Sequence, residues 1–111
     1  MAAVVVSLGA CAPATAPEVP AAGPGGRPDP ALVAGREIYT RRCAACHGTA
    51  GGGGRGPALD GDRLIERYPD PADQVRVVAE GRGGMPAFEG VLDPEELEAV
   101  VRYTREVLGA G

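Results

Sequence analysis

Two thiols and an imidazole fall within the five consecutive residues Cys43-Ala44-Ala45-Cys46-His47, and His47 is the only histidine in the 111-residue chain. Residues three positions apart lie on about one turn of helix, so Cys43 and Cys46 share a side and His47 follows directly. The fold around them must be small. The N-terminal third is dominated by Ala, Pro and Gly, which leaves a domain of roughly 80 residues; a domain of that size buries only about 60% or slightly more of its unfolded surface and usually needs a cross-link, metal or cofactor. Aromatic residues make up only 4% of the chain and Trp is missing altogether, so few large side chains are available to fill a core.

The remaining composition excludes some functions. Net charge is −4, every cation is Arg because the chain has no Lys, and no basic cluster is dense enough to follow a phosphate backbone, so nucleic acid is not an expected partner. Three cysteines, an odd number, do not suit a secreted protein held by disulfides alone. Cys11 therefore needs its own explanation. The apolar stretch before it, from Ala2 to Ala10, is about half the roughly twenty residues of a spanning helix. It reads as the apolar part of a secretory signal that begins further upstream, because the positive residues that precede such stretches are missing. Leu8-Gly9-Ala10-Cys11 resembles the lipobox of bacterial lipoproteins, which implies cleavage before Cys11 and acylation of its thiol and amine. Several acyl chains hold a protein on a bilayer where one chain binds only reversibly. The expected organisation is a signal and lipobox segment over residues 1–11, a flexible Pro/Ala/Gly-rich tether over 12–29, and a folded domain over 30–111.

Within that domain the patterning is helical. Asp29-Pro30 supplies an N-cap and a first-turn proline, and Leu32, Gly35, Tyr39 and Cys43 follow at helical spacing, predicting a helix from Pro30 to about Arg42. Glycine inside a helix costs about 1 kcal/mol against Ala, so Gly35 on the apolar stripe marks a close helix approach. Asp93-Pro94-Glu95-Glu96 opens a terminal helix running to about Leu108, with Leu97, Val100, Val101, Thr104, Val107 and Leu108 on its buried stripe and Tyr103 on the flank. Between them, residues 62–68 predict a short helix, and a second begins at Asp70-Pro71, buries Val75, Val78 and Ala79, and stops at Gly81. No segment alternates with period two for long enough to predict a sheet. The expected fold is all-α with a long Gly-rich loop over residues 48–56.

The spacing of Cys43, Cys46 and His47 fits covalent haem attachment, in which each thiol adds to a vinyl group and the imidazole is directed at the iron. Two other chemistries use the same residues. A thioredoxin-like dithiol requires a preceding strand and a βαβ context, and a structural zinc site requires Cys11 as fourth ligand across the tether. If haem is bound, the second axial ligand follows by elimination, since the chain offers no other His and no Lys. Met1 lies in the expected signal, which leaves Met85. Pro86 biases Met85 toward extended backbone, and Gly81, Gly83 and Gly84 permit a tight approach.

Taken together, Gly35 and Tyr39, Cys43-Ala44-Ala45-Cys46-His47-Gly48, Gly56-Pro57-Ala58-Leu59, Gly84-Met85-Pro86-Ala87-Phe88, and Val100 with Tyr103 resemble the class I cytochrome c family over nearly all of residues 31–108. The resemblance implies that the first and last helices cross around one haem c, with Gly35 and Tyr39 packed on Val100 and Tyr103. It implies that the Pro57 carbonyl accepts a hydrogen bond from His47, fixing the ring and raising its basicity, and that Leu59 lines the haem pocket. Family members often hold a haem propionate with a Trp that this chain lacks; Arg55, Arg63 or Tyr68 stand where a substitute is expected, while Arg41 and Arg42 read as solvated charges at a helix C-terminus.

A His47/Met85 pair fills both axial positions, so the expected function is single-electron transfer without enzymatic turnover, at a relatively high potential. The expected partners are redox donor and acceptor proteins, among them an oxidase, reductase or dehydrogenase. The expected setting is a monomer held by its lipid anchor at the outer face of a bacterial cytoplasmic membrane or in the periplasm. A haem-based ligand sensor or peroxidase-like protein, in which Met85 dissociates, is the alternative.

Overall fold

The computed structural model describes residues 2–4 and 15–111; Cys11 and its presumed lipidation lie outside the described residues. Five helices, and among the described residues no strand, form the domain: α1 (Pro30–Arg42), α2 (Ala44–His47), α3 (Arg63–Arg67), α4 (Pro71–Glu80) and α5 (Pro94–Glu106). Single 3-10 turns at Pro24–Gly26 and Leu108–Ala110 flank them. The expected all-α fold is the observed one.

Each long helix starts where its sequence places an acid before a proline. Asp29 and Asp70 accept hydrogen bonds from the N–H groups of Ala31 and Ala72, both at 2.9 Å. Asp93 and Glu96 close a reciprocal capping box at 2.9 and 3.1 Å. These bonds satisfy N–H groups that a helix start leaves without partners. The terminal helix ends slightly earlier than its periodicity predicts, at Glu106, and Leu108 lies in the 3-10 turn that follows.

α1 and α5 cross at the expected glycine. A methyl group on Gly35 would collide with the carbonyl of Ala99 and reach within 2.8 Å of Tyr103 Cβ, so no larger residue fits this contact. The backbone that Gly35 meets is that of Ala99, one residue before the expected Val100. Tyr39 and Tyr103 are wholly buried, with ring centroids 5.6 Å apart at a tilted 46°. Their tilted contact lies within the centroid range of favourable aromatic pairs, and both hydroxyls find carbonyl acceptors: Tyr39 donates to Gly48 and Tyr103 to Pro17, each at 2.6 Å.

The Tyr103 bond corrects the expected tether. Ala16 belongs to the core at 2% exposed, Val19 packs against that core, and Arg36 donates to the carbonyls of Ala16 (2.8 and 3.1 Å) and Pro17 (3.2 Å). Asp29 at the end of the segment pairs with Arg102 of α5 at 2.9 Å. Contacts at residues 16–19 and at Asp29 thus pin this segment as a strap onto α1 and α5. The segment's composition is poor in apolar bulk, but its Ala16 and Pro17 carbonyls are satisfied by Arg36 and Tyr103, which lie far along the chain, and local composition carries no trace of them.

Candidate haem site

α1 ends at Cys43, whose backbone (φ −117°, ψ −36°) breaks the helix and restarts it as the single turn α2. The sequence reading ran α1 up to the motif without resolving this restart. It places Cys43 half-buried beneath the crossing, Cys46 at the surface and His47 inward at 8% exposed. The Gly-rich loop then folds back over α2: Gly53 N–H donates to the His47 carbonyl (2.7 Å), Gly56 N–H to the Cys46 carbonyl (2.8 Å) and Leu59 N–H to Gly51 (2.7 Å). Gly56 is indispensable to this wrap. A methyl there would sit 2.7 Å from His47 Cε1 and 2.9 Å from Nδ1.

The loop delivers the Pro57 carbonyl to 2.9 Å from His47 Nδ1. A carbonyl only accepts, so Nδ1 carries a proton, and in the neutral ring Nε2 is the nitrogen with the lone pair. That tautomer is the one a metal ligand needs, with its orientation fixed by an outer partner.

Leu59, Val75, Val78, Ala79 and Met85 are half-buried and pack against the same core as Cys43 and Ala44. Met85 sits in a loop built on the end of α4. Gly81 terminates that helix at φ +77°, where a Cβ would come within 2.6 Å of the Met85 carbonyl. Arg82 and Met85 exchange two backbone hydrogen bonds (3.1 and 2.9 Å), and the chain beyond returns to α4 through Phe88 N–H to Val78 (3.1 Å) and Glu89 N–H to Ala79 (3.1 Å). Of the residues considered for a propionate, Arg63 is engaged with Asp60 at 3.1 Å and the Tyr68 hydroxyl accepts from Arg82 at 3.3 Å, while Arg55 is exposed. Arg41 is solvated and faces Glu37 at 3.8 Å.

Sequence reasoning missed Gln74. It is 4% exposed, its amide nitrogen donates to Thr104 Oγ1 at 2.9 Å and its amide oxygen accepts from Arg105 at 3.3 Å. A Gln beside an apolar stripe looks like a solvated neighbour, and only the approach of α5 buries it.

The rival chemistries fare poorly against this geometry. Among the described residues no strand precedes the cysteines, and burial pushes the Cys43 thiol up to about 11, whereas a dithiol redox site depends on a lowered thiol. No group of three or more His, Cys, Asp or Glu is placed to hold a metal among the described residues, as a zinc site would require. The donor set fits haem instead. Two thiols on one turn can each form a thioether, one imidazole is locked in the ligating tautomer, and the flanking side chains are apolar. An all-α fold with this site defines a c-type haem protein.

Comparison with known proteins gives the same class. Residues 30–103 match the family described as cytochrome c oxidase, cbb3-type, subunit III. The chain is 37% identical over 81 residues to the cbb3-type cytochrome c oxidase subunit FixP of Bradyrhizobium diazoefficiens, an alignment covering 69% of this chain and 27% of that protein. It is 35% identical over 73 residues to cytochrome c6 of Leptolyngbya boryana, covering 64% of this chain and 86% of that one. The crystal structure of cytochrome c6 from the diatom Phaeodactylum tricornutum aligns with a TM-score of 0.62 at 30% identity, over 71% of this chain and 95% of that one. The protein belongs to this family of c-type cytochrome domains, and its cofactor is a single, covalently bound haem c. It spans about a quarter of the length of the FixP subunits it matches, 27% and 28% for two of them.

Proposed function

We propose that the protein is a monomeric single-electron carrier, not an enzyme, whose haem c is bound by thioethers to Cys43 and Cys46 and ligated by His47 and Met85. The observation that carries this reading is the 2.9 Å contact between His47 Nδ1 and the Pro57 carbonyl, which leaves Nε2 as the donor. A haem so held supplies reversible one-electron chemistry with both axial positions filled. His47 is kept from rotating by Pro57 on one side and the close approach of Gly56 on the other. Leu59, with Val75, Val78 and Ala79, excludes water and lowers the local dielectric, which disfavours the additional charge of the oxidised state. The neutral thioether of Met85 acts in the same direction. The double backbone pairing of Arg82 and Met85 favours a retained ligand over the dissociating Met85 of a sensor or peroxidase.

The partners that suit this reading are membrane or periplasmic redox proteins, and similarity to a subunit of a cytochrome c oxidase supports an oxidase among them. We place the protein on the outer face of a bacterial cytoplasmic membrane through lipid on Cys11. No helix among the described residues is long and apolar enough to cross a membrane. The domain proper then includes the strap from Ala16 onward as well as residues 30–111.

Met85→Ala tests the ligand set: the variant keeps its covalent haem, shows a lower midpoint potential and binds carbon monoxide in the ferrous state. An unchanged spectrum and potential would remove Met85 from the ligands. Cys11→Ser tests the anchor, with release into the soluble periplasmic fraction expected and persistence in membranes overturning it.

A further inference from the structure

We propose that Arg105 is the hub of a hydrogen-bond network that holds the Met85 loop through Gln74 and Tyr68 and sets how readily Met85 is displaced; this rests on Met85 being an axial ligand. Arg105 lies near the end of α5 and reaches two elements at once. Its Nη1 donates to the Tyr68 carbonyl at 2.7 Å and to Gln74 Oε1 at 3.3 Å, and its Nη2 donates to the Pro69 carbonyl at 3.3 Å. Gln74 in turn donates to Thr104 Oγ1, whose hydroxyl donates to the Val101 carbonyl at 2.8 Å. Every polar atom of the Gln74 amide oxygen–nitrogen pair therefore has an α5 partner, and its orientation is fixed by the charge of Arg105.

Two routes lead from this hub to Met85. The first runs along α4: Gln74 ties the first half of that helix to α5, and the Met85 loop leaves and returns at its last turn through Gly81, Val78 and Ala79. The other α4 side chains against the core, Val75, Val78 and Ala79, are half-buried and apolar. Apolar contacts are non-directional, so they allow α4 to slide, and the directional bonds of Gln74 set its register. The second route runs through Tyr68, whose backbone is held by Arg105 and whose hydroxyl accepts from Arg82 at 3.3 Å. Arg82 is the backbone partner of Met85 in both directions. Moving Met85 away from its position thus strains bonds that end on α5, the helix with the most buried residues. Gln74, Tyr68, Arg82 and Arg105 are positioning residues on this account.

The test is imidazole binding to the ferric holoprotein, followed by the shift of the main haem absorption band, with loss of the sulfur-to-iron band marking the departure of Met85 in the proteins that retain it. Gln74→Met preserves volume and removes the bonds to Thr104 and Arg105; imidazole should bind about fivefold more tightly, the change expected for one net hydrogen bond. Tyr68→Phe removes only the link to Arg82 at a half-buried ring, with about a twofold effect expected, and it carries the same test if Gln74→Met matures poorly. In a Met85→Ala background both substitutions should leave imidazole affinity unchanged, since no loop ligand remains to be displaced. Equal affinities in the Met85-containing proteins overturn the proposal. So does the same increase with Met85→Ala, which would indicate general loosening of the pocket. Should Met85→Ala bind imidazole no more tightly than the unaltered protein, the ligand assignment itself fails, and that outcome is distinct from the other two.

Discussion

The α1–α5 crossing and the Met85 side of the domain are built on different principles. At the crossing, backbone meets backbone at Gly35 and Ala99, Tyr39 and Tyr103 are fully buried, and the strap closes over the top. On the Met85 side, Leu59, Val75, Val78, Ala79 and Met85 are only half-buried, and the directional bonds of Gln74 and Arg105 fix where α4 lies. The crossing is a shape set by steric fit, with the Tyr39 and Tyr103 hydroxyls bonded at its margins. The opposite side is a surface suited to a large apolar cofactor, positioned by polar bonds. A small domain with few aromatic residues gains from this division, because one rigid half serves as the frame on which the other is aligned.

If the crossing is the frame, damage there should be global. Gly35→Val drives a branched side chain into the Ala99 carbonyl and should cost about 3 kcal/mol or more, read as a lower denaturant midpoint monitored by circular dichroism. A variant of normal stability would mean that the helices can separate without penalty, and the contrast would break. Gly56→Ala strikes the other half. Its methyl meets the His47 ring, so about 1–3 kcal/mol of strain should appear as weakened haem retention and a shifted potential, with the helical spectrum retained.

Tyr103→Phe addresses the strap. Losing the hydroxyl bond to Pro17 should cost about 1 kcal/mol and speed proteolysis within residues 16–29, while the haem spectrum stays as it was. Cleavage at the unaltered rate would show that the strap is held by other contacts. The smallest effect concerns Asp29. The hydrogen bond from the Arg102 guanidinium, aided by the Ala31 N–H, holds its carboxyl below the ordinary value of 3.8. A lowered carboxyl contributes stability that is present above its unfolded value and is lost as pH falls through the folded one. Asp29→Asn should therefore lower stability slightly at neutral pH, leave it unchanged in strong acid and so flatten the fall below about pH 4, as thermal melts across that range would show. An unaltered acid limb would assign that loss to other carboxylates.

Much of the frame was legible before any coordinates. Asp29-Pro30, Asp70-Pro71 and Asp93-Pro94 announce three helix starts because capping is a local transaction between neighbouring residues. Gly35 on an apolar stripe announces a close contact, although not that Ala99 supplies it. The Cys43, Cys46, His47 spacing carries the cofactor class, and the scarcity of other ligands singles out Met85. Gln74 and the strap were not legible, since each depends on a partner from elsewhere in the chain: Thr104 and Arg105 for one, Arg36 and Tyr103 for the other.

The sequence by itself determined where the long helices start and which side chains are chemically able to hold a haem, because caps and donor type act within a few residues. Only the tertiary structure decided which imidazole nitrogen is free, what satisfies the buried amide of Gln74, and that residues 16–29 lie on the domain. Those outcomes are hydrogen bonds closed across long stretches of chain, and their partners meet only after the helices have packed.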